Sequence, residues 1–145
     1  MDDARSQRFC RPTAVMAQLS VRRGRAAVEF YQRAFGAVED YRVGGTDENE
    51  AVVSQLSVGE ATFWVADESP EHLNFSPESV GGATTRLLLV VDDPDAAIVR
   101  AVAAGATLVR AAADEHGWRL GRIADPFGHH WEVGKPFVPW PPPPH

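Results

Sequence analysis

The sequence has one cysteine and two methionines, and no apolar run in it approaches the roughly 18 residues of a membrane-spanning helix. A lone Cys10 excludes an internal disulfide and fits a reducing compartment. It sits in a polar stretch with no periodic pattern around it, so a catalytic thiol is not expected there. The start, Met1-Asp2-Asp3, lacks the basic-then-apolar layout of a secretory signal, and a cytoplasmic protein with no membrane partner is expected. Basic residues are the scarcer charge, 14 Lys and Arg against 20 Asp and Glu for a net −6, and they form no stripe. That pattern excludes nucleic acid as a partner and disfavours a phosphate-rich ligand. What is present is globular: 44% hydrophobic residues, with seven Phe, four Trp and two Tyr in 145 residues, enough for one compact core.

Three regions follow from the pattern. Residues 1–12 read as an N-terminal arm, 13–135 as a folded domain with modules at about 13–67 and 84–134, and 136–145 as a proline-rich tail in extended or polyproline structure outside the core. In the first module, Ala14 to Val21 reads as a strand and Ala26 to Phe35 as a helix stopped by Gly36. Strands follow at 37–43, 51–58 and 61–66, the last two joined by a Gly59-Glu60 hairpin turn. The stretch 67–83, rich in Ser, Pro, Glu and Gly, is the connection between modules. The second module repeats the plan: a strand at 85–91, a helix at 95–104 stopped by Gly105, and strands at 106–111, 118–124 and 130–133. Ala26-Ala27-Val28 recurs as Ala96-Ala97-Ile98 at an offset of 70, which together with the matched element order marks a duplication.

A βαβββ unit covers one sheet face with its helix and leaves the other bare. Pairing two units gives an α+β fold in which curved sheets enclose a concave trough lined by their inward residues. Residues 26–37 resemble the A-x-x-FY-x-x-AFGA signature of the vicinal oxygen chelate superfamily, in its glyoxalase and bleomycin-resistance branch, closest to PhnB-like members. Gly59 to Glu68, Ser76 to Gly82, Ala103 to Ala106 and Asp125 to Trp131 resemble further segments of that family in the same order, so the resemblance spans 14–134.

The resemblance implies one divalent metal held by four side chains in the trough, two from each module, acting as a Lewis acid. Matched position by position, those ligands fall at Met16 (or Gln18 if the alignment slips by two), within Phe63-Trp64-Val65, at Arg86 or Leu88, and at Glu132. A thioether, an indole and a guanidinium do not hold a hard divalent ion, and Glu132 alone is half a site even with His130 on the same strand face. His72 and His116 lie in polar loops.

The expected ligand-binding residues are therefore Met16, Gln18, Trp64, Arg86, Leu88, Trp118, His130 and Glu132, without a metal cofactor. Arg86 and Glu132, read as equivalent positions in the two halves, are expected to face each other across the trough as an ion pair. Burial in a partly apolar pocket would raise the Glu132 pKa and suit it to act as a base. Trp64 and Trp118 are positioned to stack on a planar ligand, while Trp131, by strand alternation, faces away and packs. Phe30, Tyr31 and Phe35 grip the sheet, and Asp125-Pro126-Phe127-Gly128 is a tight turn serving backbone geometry.

The expected function is sequestration of a mid-sized, partly planar small molecule such as an antibiotic or secondary metabolite, in the manner of bleomycin-resistance proteins, by a homodimer. The rival is a metal-dependent glyoxalase-like lyase or isomerase, or a dioxygenase, using His130 and Glu132 with one divalent ion. A third reading has the trough plugged by Met16, Trp64 and Leu88, leaving a structural or regulatory protein.

Overall fold

A computed structural model describes residues 12–47, 49–142 and 144, so Cys10 and nearly all of the expected arm lie outside the described residues. The first module comprises β1 (Gln18–Val21), α1 (Gly24–Phe35), β2 (Val38–Gly44), β3 (Val52–Val58) and β4 (Ala61–Asp67). After a short 3-10 turn at Pro70–His72 and a one-turn helix α2 (Pro77–Val80) come β5 (Arg86–Val90), α3 (Pro94–Ala104), β6 (Thr107–Glu115), β7 (Trp118–Ala124) and β8 (His130–Pro136). Each module forms its own four-stranded mixed sheet, in the orders β1-β4-β3-β2 and β5-β8-β7-β6, which is the expected βαβββ repeat.

Local chemistry sets the boundaries. In α1, Ala27, Val28, Phe30, Tyr31 and Ala34 recur at helical spacing and are all buried. The helix ends at Gly36 with φ +68°, a left-handed position that favours glycine. Its first turn has no cap from its own neighbour Arg23; Asp67, at the end of β4, supplies one by accepting from Gly24 N (3.0 Å) while also accepting from Val52 N (2.6 Å). In α3 the cap is local, with the Asp93 side chain accepting from Ala96 N at 3.0 Å and Pro94 in the first turn.

Three expectations are corrected. The first strand begins at Gln18 rather than Ala14, because β1 is an edge strand whose register with β4 runs from Gln18–Trp64 to Val21–Asp67. The connection at 67–83 is not wholly irregular: Glu68 accepts from Ser76 N (2.9 Å) and Ser79 Oγ (2.8 Å), which holds α2 against the first module. The final strand runs on through Pro136, and the tail returns to the sheet, with the Trp140 ring edge-on to Trp118 at 5.7 Å.

One core serves both modules. Leu19, Val21, Leu56, Phe63 and Val65 of the first sheet share it with Ile123, Trp131 and Val133 of the second, together with the inner faces of both helices. Trp131 lies 5.5 Å from Phe63, 5.6 Å from Tyr31 and 4.8 Å from Phe35, so the packing role expected for it is observed.

The Asp125–Gly128 turn does more than shape backbone. The buried Asp125 carboxylate accepts from Phe127 N (3.0 Å), His129 N (2.9 Å), Trp131 Nε1 (3.0 Å) and the Tyr31 hydroxyl of the other module. Gly128, at φ +92°, lets the turn pass α2, where a Cβ would stand 2.7 Å from Pro77 Cβ.

Candidate functional site

With the helix-bearing faces joined in the core, the opposite face of each sheet is open, and the candidate residues are divided between the two faces. On the first sheet, Tyr41, Gln55, Trp64 and Gln18 form one row across four strands. The Tyr41 and Trp64 rings meet edge to face at 6.3 Å. Met16, just ahead of β1, presents its Sδ to Thr62 Oγ1 (3.6 Å) and Gln55 Nε2 (3.9 Å). This cluster is half-exposed and carries no charge.

On the second sheet, strand register aligns Arg86 with His130 and Ala124, and Leu88 with Glu132 and Arg122. Arg86 and Glu132 do form an ion pair, at 2.8 Å from Nε to Oε1, but not across a trough. Both belong to the second module, on neighbouring strands, so the pair lies along one sheet face. The reading of them as equivalent positions in two halves is thereby corrected.

The same oxygen, Glu132 Oε1, also accepts from Arg122 Nη2 at 2.8 Å. Arg122 was not a sequence candidate. Its one signal was alternation with Trp118 and Leu120 along β7, which places it on the open face. The two guanidiniums outweigh partial burial and hold the Glu132 carboxyl below the usual carboxylate range, the Arg122 hydrogen bond contributing most. The expected upward shift is thus reversed, and with it the suitability of Glu132 as a base.

His130 shares this face, and its Nδ1 is buried without a hydrogen-bond partner among the described residues. Trp118 stands further along β7, backed by Trp140. His129 turns elsewhere: its Nε2 is 2.9 Å from Ser20 O, beside a cavity of about 390 Å³ between β1 and the 82–85 segment. Of the eight candidates only Gln18 borders that cavity. His72 is exposed in its 3-10 turn and His116 occupies the β6–β7 turn.

The positions that the resemblance assigns to metal ligands are poor in hard donors. They supply a thioether, a carboxamide, an indole, a guanidinium and one carboxylate oxygen already shared by two cations. Among the described residues no three His, Cys, Asp or Glu side chains converge.

These features define a class: a small α+β protein of two βαβββ modules whose bare sheet faces carry aromatic and charged groups. A family model described as a glyoxalase-like domain matches residues 15–134, and the chain belongs to that family. The uncharacterised protein Mb0911c of Mycobacterium bovis is 39% identical over 127 residues, 85% of this chain and 83% of that one. The X-ray structure of the Arabidopsis thaliana At5g48480 gene product superposes with a TM-score of 0.62 at 30% identity, covering 86% of this chain and 98% of the other. The fosfomycin resistance protein FosX of Listeria monocytogenes, solved with Mn(II) and sulfate, has a TM-score of 0.61 at 15% identity, covering 87% and 93%, and so shares the fold.

Proposed function

We propose that this protein binds a mid-sized, partly planar small molecule without a metal and works by sequestration, as a homodimer in the cytoplasm. The observation that carries the reading is Glu132: at the one ligand-pattern position that keeps a metal-binding side chain, the carboxylate is neutralised by Arg122 and Arg86. Around it lie aromatic and apolar groups suited to a planar body, with Trp118 on the same face and Trp64 on the other sheet. A glyoxalase-like or dioxygenase reaction through His130 and Glu132 needs a chelated ion or a free base, and this arrangement favours neither.

Exposure on the two open faces supports the dimer. Tyr41, Val43 and Val53 on the first open face, and Leu88 and Val90 on the second, are each 41–55% exposed. Facing the first sheet of one copy toward the second sheet of another would shelter both sets and leave between them a trough open to a ligand, lined by Trp64 and Gln18 from one chain and Arg86 and Glu132 from the other. Each trough then draws on two chains.

The test is elemental analysis of protein purified without chelator, thermal melts with added Mn, Fe, Co, Ni and Zn, and sedimentation equilibrium. The expected result is no stoichiometric metal, no metal-dependent rise in melting temperature, and a mass of twice the 15.8 kDa chain. Near-stoichiometric metal with a raised melting temperature refutes the metal-free reading, and a monomer refutes the shared trough.

A further inference from the structure

We infer that the second-sheet face recognises an anionic group, so that the ligand is a planar or apolar molecule bearing a carboxylate. The inference rests on the reading that this face binds a small molecule, and it names the chemistry of that molecule. Two guanidiniums converge on one oxygen of one carboxylate, leaving the trio Arg86, Glu132 and Arg122 with a net positive charge on a protein of net charge −6. Arg110, the register partner of Arg122, adds a third guanidinium, balanced by Glu115 at 2.9 Å.

The donors are only partly used. Among the described residues, Arg86 engages through Nε and Arg122 through Nη2, and no other N–H of either has a partner. Glu132 therefore acts as a brace: it fixes two planar forks side by side at the cost of one N–H from each. Arg86 remains 60% exposed and Arg122 30%, so the unused edges can be reached from solvent. Planar forks of this kind match the two oxygens of a carboxylate.

The surroundings specify the rest of the ligand. Leu88 stands directly opposite Glu132, and Leu120 lies between Arg122 and Trp118 on β7. An apolar body anchored at the guanidiniums thus lies over Leu88 and Leu120 toward Trp118. His130, in register with Arg86, lies on the same face, with its Nδ1 buried beneath it.

The experiment compares 2-naphthoate with 2-naphthamide, which share a planar body and differ in charge. Both are titrated into the full-length protein by calorimetry, with the arginine Nε–H resonances followed by NMR. The expected result is naphthoate binding at least about tenfold tighter than naphthamide, weakening with added salt and shifting the Arg86 and Arg122 resonances. R122Q should lower naphthoate affinity about tenfold and naphthamide affinity by much less. R86K, which keeps the charge and loses the fork, should fall between. E132Q, whose amide oxygen can still accept from both guanidiniums, should raise naphthoate affinity because it removes the competing charge. Circular dichroism melts confirm that each variant is folded. Equal binding of acid and amide, or loss of affinity for both in R122Q alike, overturns the anion inference while leaving small-molecule binding at this face intact. Failure of both probes at millimolar concentration overturns the inference and the binding reading together.

Discussion

The hydrogen bond from Tyr31 to Asp125 joins α1 of the first module to the β7–β8 turn of the second, and replacing Tyr31 with Phe tests what it is worth. The ring keeps its T-shaped packing on Phe30 and Phe63 in this variant, so the hydroxyl is the only group removed. Asp125 is 5% exposed and retains its bonds from Phe127 N, His129 N and Trp131 Nε1. A hydrogen bond to a charged group contributes about 1.5–3 kcal/mol, and no cavity term is added because the ring stays. For a chain of this size about 3 °C accompanies each kcal/mol, so the melting temperature should fall by about 5–9 °C. Asp125→Asn should cost more, about 3–5 kcal/mol, because an amide turns a donor toward at least one of the donors that the carboxylate satisfies. Since both variants break the same bond, the double variant should cost less than the sum of the singles. Urea unfolding followed by fluorescence provides the assay. A Tyr31→Phe protein within about 0.5 kcal/mol of wild type, or strictly additive costs, would refute the view that this bond ties the modules together.

Two further predictions concern other charged groups. The long-range cap on α1 comes from Asp67, so Asp67→Ala should lose about 1–2 kcal/mol in urea unfolding by freeing Gly24 N and Val52 N together, whereas Asp67→Asn should recover part of it. Glu132 titrates below its ordinary value of 4.5 in the folded protein, held down by Arg122 first and Arg86 second, so its stabilising contribution is present above about pH 4.5 and is lost as the pH falls through the folded value. Wild type should therefore lose more stability between pH 6 and pH 3 than E132Q does, in parallel urea titrations at about one-unit steps; identical pH dependence would show that the guanidinium contacts do not persist in solution.

The fold was readable because its signals are local. The spacing of Ala27, Val28, Tyr31 and Ala34, the stop at Gly36 and the repeat at an offset of 70 depend only on neighbours in the chain. Strand alternation likewise placed Trp131 in the core and put His130 and Glu132 on one face. What escaped depends on register between strands distant in sequence. Arg122 reads as an ordinary exposed residue of β7 until the pairing of β7 with β8 sets it opposite Glu132, and that contact reverses the direction of the Glu132 shift. Asp125 resembles any turn aspartate because three of its donors lie in its own turn and strand, while the fourth comes from Tyr31, 94 residues earlier. Trp140 sits in a sequence whose prolines rule out regular structure, and only the extension of β8 carries it back to Trp118.

The bond between Tyr31 and Asp125 also bears on how a duplicated chain avoids confusing its halves. Two modules built on one plan present similar surfaces, and a first half could pair with the first half of another copy. Here the offset of 70 carries Tyr31 to Ala101, which is fully buried and has no hydroxyl to offer. The phenol therefore exists on one half and its carboxylate on the other, as a plug and socket of opposite gender. Two copies of the first half would bury a phenol with nothing to receive it, and two copies of the second a carboxylate short of a donor. Self-pairing of like halves is penalised and pairing of unlike halves rewarded, which gives a chain of two like modules a built-in sense of left and right.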